Sequence, residues 1–278
     1  MSGCKETPPP IAIAEPSPAL WLVENSDGER EGWLFGTIHA LPDGVEWRTP
    51  AIQVAIDGSA ALAVEISELD DAEELSAIFT ELARSPHLPP LIDRVSADNR
   101  VSLASLMDAA GYDSGDFSGI ETWAAALTLA QANAQGSSEN GVDKELFREI
   151  GELRVLEGAR AQLSIFDALP EREQRDLLEA IATNSAIDQA REWRELVEIW
   201  LTGDMKRLAQ KNDEGFLADP ELRAALLTDR NTAWAIKIDG WMQRDGPILV
   251  AAGASHMAGP DGLPVLLAER GYTIRRIQ

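Results

Sequence analysis

Two of the three histidines share one short motif at opposite ends of the sequence, and this repeat constrains the fold more than any other feature. The segments Gly36–His39 (GTIH) and Gly253–His256 (GASH) each follow an apolar run, and Pro-Asp-Gly comes shortly after each histidine. A glycine after a strand lets the backbone turn sharply, and ligands of α/β sheets bind at the carboxyl ends of strands. The repeat therefore predicts two histidines at one edge of a sheet, which meet if their strands are neighbours. The alternative is that each histidine only satisfies a local turn.

Strand signals lie at both ends of the chain, and helix signals lie between them. Residues 20–24 and 32–36 are apolar runs joined by a turn cluster, which predicts a β-hairpin. The other predicted strands are 60–66, 247–252 and 272–277. Helices are predicted over 49–57, in broken stretches over 71–131, and near 171–183, 185–202, 220–242 and 262–269. We therefore predict an α/β fold whose central sheet is built from N- and C-terminal strands, with a large helical region in the middle.

Composition and charge exclude several classes of protein. Hydrophobic residues make up 45% and charged residues 26% of the 278-residue chain, a balance typical of globular proteins. The net charge is −23, and no basic stripe is present, so nucleic acid is not an expected partner. No apolar run reaches the roughly 18 residues that a membrane-spanning helix needs. The single cysteine excludes intrachain disulfides and thiolate metal clusters.

The first 18 residues predict a tether rather than part of a core, because they are rich in proline and alanine. The sole cysteine, Cys4, follows Ser2 and Gly3, and small residues before a cysteine resemble the end of a bacterial lipoprotein signal. We expect a lipid anchor at Cys4 and a periplasmic or cell-envelope location, or a cytoplasmic one if Cys4 is an incidental surface residue. The predicted domains are this tether (1–18) and a catalytic domain (19–278) with a helical insertion at about 71–245.

Further polar side chains complete the predicted site. Glu65 ends an apolar strand, where it could bind a divalent metal together with His39 and His256 or act as general base on a bound water. The alternative is an ordinary exposed acid at a strand end. Arg230 and Asn231 lie among apolar residues of a predicted helix. An arginine there could bind a substrate carboxylate or an oxyanion, or could pair with a buried acid.

Three other ionisable residues are weaker candidates. Asp143 opens a predicted helix, where it could simply complement the positive end of that helix. Glu157 follows a short apolar run and could be a site carboxylate or a solvated acid. His87 lacks a paired motif and is predicted to be a loop residue outside the site.

An ordered set of short motifs resembles the TraB/GumN family, which is related to the Tiki metalloproteases and more distantly to the erythromycin-esterase and ChaN-like proteins. The likeness runs from about residue 20 to residue 277. The motifs that carry it are Leu34–His39, Ala63–Glu65, Gly141–Asp143, Leu156–Glu157 with Gln162, Trp200–Asp204, Arg230–Asn231 with Trp234, Gly253–Gly259 and Gly271–Tyr272. The resemblance implies an α/β core of the erythromycin-esterase and ChaN-like type, with two Gly-x-x-His histidines and a glutamate at one site. It also implies export, in agreement with the interpretation of Cys4.

Together the residues and the resemblance predict a metal-dependent hydrolase, and in particular a peptidase. His39, His256 and Glu65 would bind Mn, Co or Zn, and Arg230 or Asn231 would stabilise the oxyanion or orient the substrate. The substrate would be a peptide or a small ester or amide. Two alternatives stay open: a metal-free esterase-like hydrolase with a histidine as base, and a non-enzymatic periplasmic lipoprotein that binds a ligand or regulates.

Overall fold

The structure is a computed structural model that describes residues 13, 15–113, 115–132 and 134–278, with the backbone alone at Ala186. Cys4 lies outside the described residues, so the lipid anchor and the location of the protein stay predictions. The end of the predicted tether contacts the rest of the chain, because the Ser17 N–H donates to the carbonyl oxygen of Leu201 (2.7 Å). Within the described ranges, none of the helices combines the length and the apolar character that crossing a membrane requires.

A six-stranded mixed sheet lies at the centre of the described part of the chain. The strands are β1 (Leu20–Glu24), β2 (Arg30–Thr37), β3 (Ala61–Val64), β4 (Leu153–Val155), β5 (Ile248–Gly253) and β6 (Thr273–Arg276). Their order is β4-β3-β5-β2-β1-β6; the first four in this order run parallel to one another, and β1 is antiparallel to β2 and β6. The structure confirms the predicted α/β fold and the predicted hairpin of β1 and β2.

Helices surround the sheet and form most of the middle of the chain. Their bounds are α1 (Pro50–Asp57), α2 (Ala72–Leu82), α3 (Arg100–Ala110), α4 (Thr122–Ala132), α5 (Val142–Glu149), α6 (Ala159–Asp167), α7 (Glu171–Thr183), α8 (Ala186–Leu201), α9 (Met205–Lys211), α10 (Pro220–Arg223), α11 (Asp229–Asp245) and α12 (Leu263–Glu269). A π-helical turn (Ala224–Thr228) joins α10 to α11. Helix starts follow local chemistry: the Thr49 side chain accepts the Ile52 N–H, and Pro50 takes the first position of α1.

Both faces of the sheet are buried, which explains why the central strand β5 is an unbroken apolar run. Alternate residues of each strand point to opposite faces. On one face, strand residues pack against α1, α5 and α8; the residues involved include Leu62, Val64, Leu249, Ala251, Ile52, Leu146 and Val197. On the other face, strand residues pack against α11 and α12; these include Ala61, Ala63, Ile248, Val250, Trp234, Ile238 and Leu263. A separate apolar cluster joins α3, α4 and α7.

The edge strand β4 differs from the sequence-based prediction of a helical middle. It comes from within the 71–245 segment and pairs in parallel with β3. Its three residues are only half-buried, and the central one is Arg154, which forms an ion pair with Asp245. A strand this short, with a charged residue at its centre, lacks the apolar run that identifies the other parallel strands.

Three parallel strands bring distant parts of the sequence to one edge of the sheet. Thr37 at the end of β2 lies opposite Gly253 at the end of β5, and Val64 at the end of β3 lies opposite Ala251. The residues that follow these strands therefore lie at a common carboxyl edge. This is where the two Gly-x-x-His segments and Glu65 are found.

Candidate functional site

The predicted histidines and the predicted glutamate meet over Gly253. A Cβ atom placed on this glycine would lie 3.3 Å from Glu65 Oε1, 3.7 Å from His39 Nε2 and 3.8 Å from His256 Cδ2. Three side chains that are far apart in the sequence thus border one small space, which stays open because residue 253 has no side chain. The structure brings these three residues together, and their catalytic role stays a prediction.

Glu65 is buried, and both of its carboxylate oxygens are hydrogen-bonded. Oε1 accepts the backbone N–H of Gly253 (2.7 Å), and Oε2 accepts Nη2 of Arg230 (2.8 Å). Burial alone would raise the pKa of this carboxyl group. The positive charges of His39 and Arg230, together with the N–H of Gly253, outweigh burial and leave the pKa of Glu65 below its ordinary value. Glu65 is therefore ionised at neutral pH.

His39 pairs with Asp143, whose role was open from the sequence. The Nδ1 atom of His39 lies 3.1 Å from Oδ2 of Asp143, which sits in the first turn of α5. Desolvation opposes protonation of the ring, but the hydrogen bond and the charge of Asp143, with the charge of Glu65, raise the pKa of His39 to about 9. The ring keeps much of its hydration, because 67% of the His39 side chain is exposed. His39 is thus a cation at neutral pH, with Asp143 fixing its orientation.

His256 is a buried, neutral imidazole whose tautomer follows from its partners. The amide Nδ2 of Asn231 donates to the carbonyl oxygen of Asp261 (2.7 Å), so Oδ1 of Asn231 is left as an acceptor. Nδ1 of His256, 2.6 Å away, must then carry the hydrogen, and Nε2 is left to accept from Nη1 of Arg230 (3.3 Å). Burial lowers the pKa of His256 to about 3, and the charge of Arg230 acts in the same direction.

Arg230 uses all five of its N–H donors within the protein. Nε and Nη2 donate to the two oxygens of Glu157 (3.2 and 2.5 Å), and Nη2 also donates to Glu65. Nη1 donates to the carbonyl oxygen of Leu226 in the π-helical turn (3.0 Å) and to His256. The sequence left open whether Arg230 pairs with a buried acid or binds substrate, and in this structure it pairs with two acids.

Glu157 belongs to the site rather than to the solvated surface. Burial raises the pKa of the Glu157 carboxyl group, and repulsion from Glu65 raises it further. The hydrogen bond and the charge of Arg230 lower this pKa, but the net shift is upward. The two carboxylates that share Arg230 therefore have pKa values shifted in opposite directions. Opposite shifts of neighbouring acids are typical of sites that separate acid and base roles.

Comparison with protein-family models matched residues 19–276 of this chain to the TraB/PrgY/gumN family. The chain belongs to the TraB/PrgY/gumN family. No curated protein and no solved structure matched the sequence. The sequence-based resemblance is thereby confirmed at the level of the family, over nearly the whole chain.

The predicted metal ligands of this TraB/PrgY/gumN-family protein, His39, His256 and Glu65, are not all free to bind a metal ion. The Arg230 guanidinium donates to Oε2 of Glu65 and to Nε2 of His256, so the only lone pair of that imidazole nitrogen is already used. Across the described residues, no three His, Cys, Asp or Glu side chains are arranged to hold a metal ion. In this arrangement the residues do not fit a divalent metal. Binding of Mn, Co or Zn would require Arg230 to move, and it stays a prediction.

A cavity of about 600 Å³ lies beside the point where Glu65, His39 and His256 meet. His39, Glu65 and Asp143 line one part of its wall, and Thr37 at the end of β2 lies among them. Apolar side chains such as Val64 and Leu75 line another part, and polar or charged side chains such as Lys144 and Gln162 line the remainder. Asn231 is fully buried and does not line this cavity, so in this structure it orients His256. His87 lies in an exposed turn away from the site, as the sequence predicts.

Proposed function

We propose that this protein is a hydrolase that cleaves an ester or amide bond in the space over Gly253. One observation carries the proposal: Glu65 Oε1 and His39 Nε2 lie 3.3 and 3.7 Å from the same point. The first is an ionised carboxylate and the second a protonated imidazole. A water molecule and a carbonyl group in that space would contact a base and an acid at once, as general acid–base catalysis requires.

Glu65 is the proposed base. A carboxylate oxygen accepts more than one hydrogen bond, so Oε1 can accept a proton from water while it keeps the N–H of Gly253. Its other oxygen is held by Arg230, which fixes the carboxylate plane. Arg230 has no free donor for a substrate in this arrangement, and its proposed role is to position Glu65 and to supply a fixed positive charge.

His39 is the proposed acid. Its pKa of about 9 keeps the imidazole protonated at neutral pH, so that Nε2–H can donate to the developing oxyanion or to the leaving group. Asp143 holds the opposite nitrogen and so fixes the direction of this donor. His256 and Glu157 do not act on the substrate in this scheme. They hold Arg230 from two sides, and the Trp234 ring lies 4.6 Å from its guanidinium carbon.

The test is hydrolysis of two matched probes, the p-nitrophenyl ester and the p-nitroanilide of N-acetyl-leucine, together with a mixture of peptides. Wild type, Glu65→Gln and His39→Gln are each assayed after dialysis against EDTA and again with added Mn, Co or Zn. His87→Gln is the matched control, because this exposed histidine lies away from the site. We expect wild type and the control to be active after EDTA, and each site variant to lose about 100-fold or more of kcat/KM.

Other outcomes of this assay would change the conclusion. Activity that returns only with an added metal would replace the proposed scheme with the metal-dependent hydrolase predicted from the sequence. Wild type that binds the probes or peptides but cleaves none under any condition would overturn the hydrolase and favour a ligand-binding protein.

A further inference from the structure

Buried polar atoms without a hydrogen bond are rare in folded proteins, and they often mark places where a ligand completes the bonding. Among the described residues, four side-chain atoms are buried and lack a partner: Thr37 Oγ1, Trp123 Nε1, Asp143 Oδ1 and Glu173 Oε2. Two of the four, on Thr37 and Asp143, belong to residues that line the same cavity. That cavity is the one that holds His39 and Glu65.

Thr37 is the last residue of β2 and lies next to the reacting space. It pairs in register with Gly253, the residue over which the catalytic side chains meet, and it is only 2% exposed. Its hydroxyl group can donate one hydrogen bond and accept others. Because all five donors of Arg230 are already used, the Thr37 hydroxyl is a buried donor still available to a bound group.

Asp143 supplies a complementary atom. Its Oδ2 is taken by His39 Nδ1, whereas Oδ1 is buried and unpartnered. A carboxylate oxygen only accepts hydrogen bonds, so Oδ1 can be satisfied only by a group that carries an N–H or O–H. These two residues therefore add one buried donor and one buried acceptor without partners to the cavity wall, beside the proposed acid and base.

We propose that Thr37 and Oδ1 of Asp143 form a substrate-binding pair that holds a group with an acceptor and a donor on neighbouring atoms. A secondary amide has both, in its carbonyl oxygen and its N–H, whereas an ester or a tertiary amide has no donor. Val64, Ile66, Leu69 and Leu75 form an apolar part of the cavity wall, which fits an uncharged side chain next to that amide. This inference rests on the proposed function only in that the bound group belongs to the substrate.

The first test is the thermal stability of Thr37→Val. Valine has nearly the shape of threonine and suits a strand, so removing a hydroxyl that has no partner should raise Tm by about 2 °C. The matched control is Thr122→Val, because Thr122 is equally buried but its hydroxyl donates to Glu171 Oε1 (2.9 Å). The control should lower Tm. A loss of stability in Thr37→Val like that of the control would mean that the hydroxyl is bonded in the folded protein, and would overturn the inference.

The second test is equilibrium binding, which needs no turnover. The probes are N-methyl-4-methylpentanamide and N,N-dimethyl-4-methylpentanamide, which each contain a single amide, titrated by NMR into wild type, Thr37→Val and Thr37→Ser. We expect wild type to bind the methylamide about 10-fold more tightly than the dimethylamide, which lacks the donor for Asp143. Thr37→Val should lose about 10-fold for the methylamide, and Thr37→Ser, which keeps the hydroxyl, should retain most of the affinity. Equal binding of the two probes by wild type, or unchanged binding by Thr37→Val, would overturn the inference.

The two proposals fail in different ways. If wild type hydrolyses neither the ester nor the anilide but prefers the methylamide in a Thr37-dependent manner, the hydrolase is wrong and the binding pair stands. If wild type is active and Thr37→Val has unchanged KM and kcat/KM on the anilide, the hydrolase stands and the binding pair is wrong.

Discussion

The substitution Gly253→Ala should lower the hydrolytic activity by about 100-fold or more without unfolding the protein. The backbone of Gly253 has φ −47° and ψ 136°, which alanine adopts without strain. The new methyl group would lie 3.3 Å from Glu65 Oε1, which is tighter than an ordinary contact, so the carboxylate must shift by a few tenths of an ångström. The methyl group would also occupy the space between the proposed acid and base. The reacting atoms must then move out of the space that the methyl group takes, and a misplacement of about 1 Å costs about 100-fold in rate, equivalent to about 2.7 kcal/mol in the activation barrier.

The assay compares kcat/KM on the N-acetyl-leucine probes with Tm. We expect a loss of about 100-fold or more and a change in unfolding free energy within about 1 kcal/mol, because a buried methyl group gains about as much as the crowding costs. Gly151→Ala is the control, since a Cβ there meets nothing within 4 Å. Full activity in a folded Gly253→Ala protein would refute the reasoning, because the space over this glycine would then not hold the reacting atoms.

Three further predictions concern the charges of the site. Arg230→Gln leaves two buried carboxylates unpaired and should destabilise the protein by about 3–5 kcal/mol in urea unfolding; a loss below about 1 kcal/mol would contradict the buried ion pair. Asp143→Asn should lower the pKa of His39 from about 9 toward its ordinary value in an NMR titration, and an unchanged titration would show that the pair does not form. Because His39 has a raised pKa in the folded state, it contributes stability below about pH 6.5 that is lost as the pH rises toward 9. The stability difference between wild type and His39→Gln should therefore shrink from pH 6 to pH 9.5, and a constant difference would count against the raised pKa.

The fold could be predicted where the sequence has strong local signals. The hairpin of β1 and β2 has two apolar runs around a turn cluster, and β5 is an unbroken apolar run because both of its faces are buried. The strand β4 and the helices α6 and α9 were missed. Helix α6 follows Gly158, which has a left-handed backbone (φ 84°) and no side-chain cap, so its start lacks the usual signal.

The candidate site could be predicted only as a set of residues at one edge of the sheet. Parallel strands end at a common edge, so Glu65 and the two motif histidines could be expected to meet. Their individual roles could not be predicted, because the partners come from elsewhere in the chain: Asp143 is 104 residues from His39. No local pattern shows that every donor of Arg230 is used inside the protein.

Thr37 is a further residue whose environment could not be predicted from the sequence. It lies inside the repeated motif, but its neighbours in sequence do not indicate that its hydroxyl is buried without a partner. That property depends on the packing of β2 against β5 and on the cavity beside them.

The most direct test of the account is a double-mutant cycle on hydrolysis with Glu65→Gln, His39→Gln and the double variant. Residues that act as one unit give losses that do not add. We expect each single substitution to cost about 100-fold or more in kcat/KM and the double variant to be no slower than the worse single variant. Losses that multiply, or single variants that keep full activity, would contradict a base and an acid that act together over Gly253.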